Sequence, residues 1–106
     1  MRLIVVDTET TGLQPEQGHR IVEIAAVEIA DRRVRDESFH RYVNPERESD
    51  ADALAVHGLT SEFLATHPPF AAVGAEFLDF VRGAELLIHN AAFDVAFLDA
   101  ELARLG

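Results

Sequence analysis

The segment LIVVDTETTGL, Leu3 to Leu13, limits the fold more than any other part of the chain. Its apolar run, Leu3 to Val6, has no polar alternation, which is the pattern of a strand covered on both faces, and it runs straight into Asp7 and Glu9. Residues two apart on an extended chain project to one side, so the two carboxylates stand together with Cβ atoms roughly 6 to 7 Å apart. Like charges held this close at the end of a buried strand repel each other unless a cation lies between them. The fold must therefore supply both a covered sheet and an open, cation-accessible strand end.

Arg2 to Val6 reads as the first strand, and TTGLQPEQGH, punctuated by Gly12, Pro15 and Gly18, as a loop. RIVEIAAVEIA, Arg20 to Ala30, sets Ile21, Glu23, Ala25, Val27 and Ile29 on one face and Val22, Ile24, Ala26 and Glu28 on the other, a long strand. After the turn DRR, the β-branched, aromatic and charged mixture of VRDESFHRYV suits a strand near the sheet edge. Together these form an antiparallel meander. Asn44 to Asp50 is loop, DADALAVHGLT a short helix stopped by Gly58, and Thr60 caps a second short helix that Pro68 and Pro69 end. Phe70, Val73, Phe77, Phe80 and Val81 recur at helical spacing, which predicts a core helix from Phe70 to Val81 closed by Gly83. ELLIH reads as another buried strand, and Asn90 as the N-cap of a last helix from Ala91 towards Leu105. The helical return allows the fourth strand to lie parallel beside the first, as a right-handed crossover places it, so that both end at one edge. The expected class is α/β: a mixed sheet, three strands antiparallel plus one parallel, with flanking helices.

That geometry brings in a third acid. Asp94 falls in the first turn of the last helix, just beyond ELLIH, and could converge on Asp7 and Glu9. With no cysteine in the chain, any metal must be held by carboxylate oxygen or histidine. Hard oxygen ligands with open water positions favour Mg²⁺ or Mn²⁺ over zinc. The same residues also fit plainer roles, with Asp7 capping a turn, Glu9 solvated and Asp94 favoured by the helix dipole. A net charge of −10 excludes the broad basic surface by which most duplex-binding proteins hold phosphates. Bound cations would invert that field locally. No segment approaches the ~20 apolar residues of a membrane span, and the apolar run after Arg2 is too short for a secretory signal, so the expected location is cytoplasmic, with no membrane partner.

VVDTETTGL resembles the first motif, and LLIHNAAFDVAFLDAEL the second, of the DEDD superfamily of 3′–5′ exonucleases, most closely its epsilon-type proofreading branch in bacterial replicative polymerases. HRIVEIAAVEI and VHGLTSEF extend the likeness along the whole chain. The resemblance implies a ribonuclease H-like fold. It also implies catalysis by Asp7, Glu9 and Asp94 through two divalent cations, Mg²⁺ or Mn²⁺, and release of nucleoside 5′-monophosphates from single-stranded or frayed DNA 3′ ends. It places Thr8, Thr10, Gly12 and Leu13 against the terminal nucleotide and Val56, His57, Asn90 and Phe93 around its pocket. The implied partners are a DNA polymerase catalytic subunit and a sliding clamp.

The family pattern also has a third motif, a histidine base followed by a fourth aspartate with four residues between. The only such spacing here, His89 to Asp94, lies inside the second motif, while His19, His40 and His67 occupy loop or edge contexts. Residues 1–106 are therefore expected to be the N-terminal part of a single exonuclease domain, weak or inactive alone. An RNA-trimming exonuclease of the same superfamily and a non-catalytic polymerase-binding module are the competing readings.

Overall fold

β1 (Leu3–Thr10) lies inside a four-stranded sheet in the computed structural model, which describes residues 2–30, 32–88 and 91–105. The strand order is β3-β2-β1-β4. β2 (Ile21–Ala30) and β3 (Arg33–Tyr42) continue the antiparallel meander, and β4 (Glu85–Ile88) pairs parallel with β1. The mixed sheet and the edge position of β3 agree with the sequence reading.

Two expectations about the strands are corrected. The first strand does not stop at Val6 but continues through the acids to Thr10, and its burial alternates. Ile4, Val6, Thr8 and Thr10 are buried, whereas Leu3, Val5 and Glu9 are half-buried and Asp7 is exposed. Ladder hydrogen bonds are made by the backbone whatever the side chain, so pairing runs on through Glu9↔Glu23 to a bulge before Thr10↔Ile21. β4 is the second correction: it was expected to be buried, yet Leu86 and Leu87 are exposed and only Ile88 is partly buried against the core. β4 is paired on one side alone, and an apolar tetrapeptide reads the same at a sheet edge as at its centre.

Two of the helices cover the face that carries Ile4, Val6, Ile24, Ala26 and Phe39. α1 (Ala51–His57) ends at Gly58, whose φ of 69° lies in the left-handed region that glycine adopts without strain. α2 (Ser61–Leu64) begins where Thr60 Oγ1 accepts the Phe63 N–H at 3.2 Å. It stops before the prolines expected to end it, because the Thr66 hydroxyl takes the Phe63 carbonyl at 2.7 Å and His67 N–H takes Leu64 O. α3 (Phe70–Val81) packs Phe70, Val73 and Phe77 onto Ile4, Val6, Ile24, Ala26 and Phe39. α4 (Ala91–Leu105) adds Phe97 and Leu98 to the same core. The expected N-cap Asn90, and His89 before it, lie outside the described residues. Among the described residues no helix is long and apolar enough to cross a membrane.

Two of the buried carboxylates, Glu28 and Glu101, are answered by arginine. Glu28 pairs with Arg2, whose other nitrogens donate to the Arg82 and Phe80 carbonyls at 2.9 Å and so tie down the end of α3. Glu101, 1% exposed on α4, accepts Arg20 Nη2 at 2.6 Å, Arg20 Nε at 3.0 and 3.1 Å and the Ile21 backbone N–H at 3.1 Å. Hydrogen bonding to Glu101 pushes the Arg20 guanidinium above its ordinary value. The pair fixes α4 to the start of β2. Glu101→Ala strands both the guanidinium and the Ile21 N–H, and is expected to cost about 3–5 kcal/mol in urea unfolding, the scale for breaking a buried pair from one side. A loss of under 1 kcal/mol would show that the pair does not hold α4.

Candidate active site

The last residues of β1 and the loop after it form one wall of a cleft of about 260 Å³. Thr8, Glu9, Thr10, Gly12 and Leu13 line that wall, Ala53, Val56 and His57 of α1 line a second with Asp50 and Asp52, and Phe93 of α4 closes the third. Every described residue expected at the nucleotide pocket is therefore on one cleft. Its mouth is apolar, with Leu13 80% and Val56 78% exposed. Two large aliphatic side chains held in water at the rim of a concave site suit a flat, partly apolar ligand.

Short hydrogen bonds shape the walls. Thr10 Oγ1 donates to the Gly12 carbonyl at 2.6 Å, which tightens the turn after β1, and Asp50 N–H donates to Thr11 O at 2.7 Å, which docks the start of α1 against it. His57 Nδ1 accepts the Leu59 N–H at 2.9 Å, so the ring proton sits on Nε2. Burial lowers the His57 pKa, and the Thr10 carbonyl and Glu23 oppose that shift without overcoming it. His57 is thus a neutral hydrogen-bond donor at physiological pH. Phe93 serves twice, stacking on Phe97 at 4.9 Å while it faces the cleft.

The acids divide between two sides of the sheet edge. Asp7 and Glu9 share the face opposite Thr8, and Asp7 Oδ1 accepts the Thr8 N–H at 3.0 Å. Asp94, 2% exposed, accepts a hydrogen bond from the Thr8 hydroxyl, so the first turn of α4 does land beside the acidic end of β1. Among the described residues no three acidic or histidine side chains converge to metal-holding distances. The electrostatics nonetheless suit a cation. Partial burial, then the charges of Asp7, Glu23 and Asp94, push the Glu9 carboxyl above the usual range.

Glu23, Asp50, Asp52 and Ala53 escaped the sequence reading. Glu23 stands directly across from Glu9 and pairs with His40 Nε2 at 2.5 Å, a position set by strand register. Asp50 and Asp52 open α1 in the run SDAD, a helix-start signal that also marks the cleft wall.

The raised Glu9 pKa has a definite sign. The folded protein keeps this proton at pH values where the unfolded chain has lost it, so stability is lost as pH rises from 4.5 through the folded value. Glu9→Gln removes that loss. In metal-free buffer the variant's Tm should match wild type below pH 4.5 and exceed it increasingly above. Millimolar Mn²⁺ should raise the Tm of wild type and leave the variant nearly unmoved. Parallel Tm profiles would show that Glu9 is not electrostatically crowded.

The exonuclease family model matches residues 4–106. The chain is 51% identical over 108 residues to DNA polymerase III subunit epsilon of Escherichia coli (strain K12), covering 98% of this chain and 44% of that protein. It is 49% identical over 105 residues to the same subunit of Rickettsia felis, covering 99% and 46%. It thus spans less than half the length of these relatives. A structure of exonuclease X in complex with 5′ overhanging duplex DNA superposes with a TM-score of 0.73 at 33% identity, over 91% of this chain and 53% of that one. The zinc ion bound form of an E. coli exonuclease I complex with single-stranded DNA superposes at 0.88 and 22% identity, over 98% and 24%, a likeness of fold alone. The strand arrangement is accordingly ribonuclease H-like, and the chain belongs to the exonuclease family.

Proposed function

We propose that residues 1–106 carry the nucleotide pocket and most of the acidic centre of a 3′–5′ exonuclease that removes nucleoside 5′-monophosphates from DNA 3′ ends. The observation that carries this reading is the placement of an apolar, nucleotide-sized cleft against Glu9, beside Asp7 and Asp94. Identity to polymerase III epsilon subunits supports a proofreading role beside a polymerase catalytic subunit and a sliding clamp, in the cytoplasm where the bacterial chromosome is copied.

In this reading Leu13, Val56 and Phe93 enclose the terminal base and sugar, and His57 would turn its Nε2–H from the Thr10 carbonyl to an oxygen of the nucleotide. The 3′ phosphodiester then lies over Asp7 and Glu9. Water adds to phosphorus opposite the 3′ oxygen, the P–O3′ bond breaks, and the shortened strand keeps a 3′-hydroxyl while the released nucleotide keeps the phosphate. Asp7, Glu9 and Asp94 would hold the divalent cations, Mg²⁺ or Mn²⁺, which supply an activated water and charge stabilisation at the leaving oxygen. Asp94 would have to turn from Thr8 to join them. His57 is a donor through its Leu59 contact and does not serve as the base.

The test is release of 5′-mononucleotides from a 3′-labelled, mismatched primer in Mn²⁺. Asp7→Ala is expected to reduce it by at least about 10²-fold, the scale of losing one preorganised electrostatic contact at the reacting centre. Equal, measurable rates for the two proteins would overturn the reading, and faster trimming of an all-RNA oligonucleotide would turn it towards RNA.

A further inference from the structure

His19 does not line the cleft, yet it touches two of its walls. It is 5% exposed, although it lies in the loop between β1 and β2. Its Nδ1 is 2.9 Å from Thr11 Oγ1, and its Nε2 is 3.2 Å from Asp50 Oδ2. Thr11 Oγ1 already accepts the Arg20 N–H at 3.0 Å, so its own proton is available to Nδ1. Nε2 then carries the ring proton and donates it to the Asp50 carboxylate.

Gly12 makes room for this ring. A Cβ on Gly12 would lie 2.4 Å from His19 Cε1 and 2.5 Å from both ring nitrogens, so no other residue fits without moving the imidazole. The ring therefore backs the residue that leads into Leu13, while its far nitrogen holds the residue that caps α1, the helix presenting Val56. Two backbone hydrogen bonds, Asp50 N–H to Thr11 O at 2.7 Å and Thr11 N–H to Arg20 O at 2.9 Å, keep the loop in place without the imidazole. A buried apolar side chain could fill the space beside Gly12. A ring with two directed nitrogens adds a side-chain tie between the walls beside the Asp50–Thr11 backbone hydrogen bond.

We propose that His19 is a positioning residue that sets the gap between Leu13 and Val56, and so the width of the mouth that admits the terminal nucleotide. The proposal rests on the nucleotide-pocket reading above. It adds a residue remote from the ligand whose change should alter affinity while leaving the fold in place.

Thymidine 5′-monophosphate binding in Mn²⁺, followed by calorimetry on the folded protein, tests it. His19→Ala is expected to weaken binding about tenfold, below the ~10²-fold that a misplacement of about 1 Å can cost. His19→Gln, whose amide can still donate to Asp50, should recover most of the loss. Combining His19→Ala with Asp50→Ala should weaken binding no further than Asp50→Ala alone, because both remove one contact. Wild-type affinity in folded His19→Ala, or no recovery in His19→Gln, overturns the proposal. Should His19→Ala not fold, Asp50→Ala removes the same contact from its exposed side, and unchanged affinity there overturns it equally. Failure of the wild-type protein to bind the nucleotide overturns the pocket reading, and the role of His19 with it.

Discussion

The parallel pairing of β4 with β1 is the constraint on which the site depends. Leu3 to Val6 align with Glu85 to Ile88, so both strands finish at one edge and α4 starts there. In open α/β sheets the carboxyl ends of parallel strands leave a crevice that backbone and side chains cannot fill, and ligands bind in it. Here the crevice receives Phe93 and Asp94 from one direction and α1 from another. Rotation of α4 is then fixed from its far end. Glu101 on Arg20 and Phe97 in the core leave the first turn little choice of heading, and Asp94 faces Thr8 as a result.

Charge is handled in two ways around one small sheet. Glu28 and Glu101 are buried deeply and each has an arginine, the planar cation best matched to a carboxylate. Among the described residues no arginine reaches Asp7 or Glu9, although both sit nearer to water and to each other. Glu28 and Glu101 are thus neutralised by arginine, buried Asp94 takes the Thr8 hydroxyl, and Asp7 and Glu9 are left to repel each other at the strand end. Repulsion retained there disfavours the ionised pair, and on the proposed reading a bound cation would relieve it.

Much of this was legible because period and burial coincide. The core helix over residues 70–81 follows from Phe70, Val73 and Phe77 alone, and the long second strand from its two-residue period, although Ile21 joins the core with Ile24 and Ala26 rather than sharing the face of Glu23. The cleft residues on β1, α1 and α4 came from motif resemblance, and the structure puts the described ones on a single surface. What stayed hidden depends on register or on loop closure. Glu23 matters because it faces Glu9, and nothing within either strand says which residues oppose each other. His19 looked like an ordinary loop histidine, and its burial follows only from the loop folding back so that Gly12 and Asp50 meet around it. The exposure of β4 was hidden for the opposite reason, since composition records that residues are apolar and not how many neighbours they acquire.

The distance along the chain between β1 and β4 also orders events in time. The β1–β2 hairpin joins neighbours and can form early, carrying Asp7 and Glu9 with it, whereas β4 must wait until the intervening helices exist and the larger loop closes. During synthesis from the N-terminus, a nascent segment ending before β4 holds two of the acids but neither Asp94 nor Phe93. On the proposed reading, the acidic centre is thus incomplete in the emerging polypeptide and comes together only once the sheet is joined.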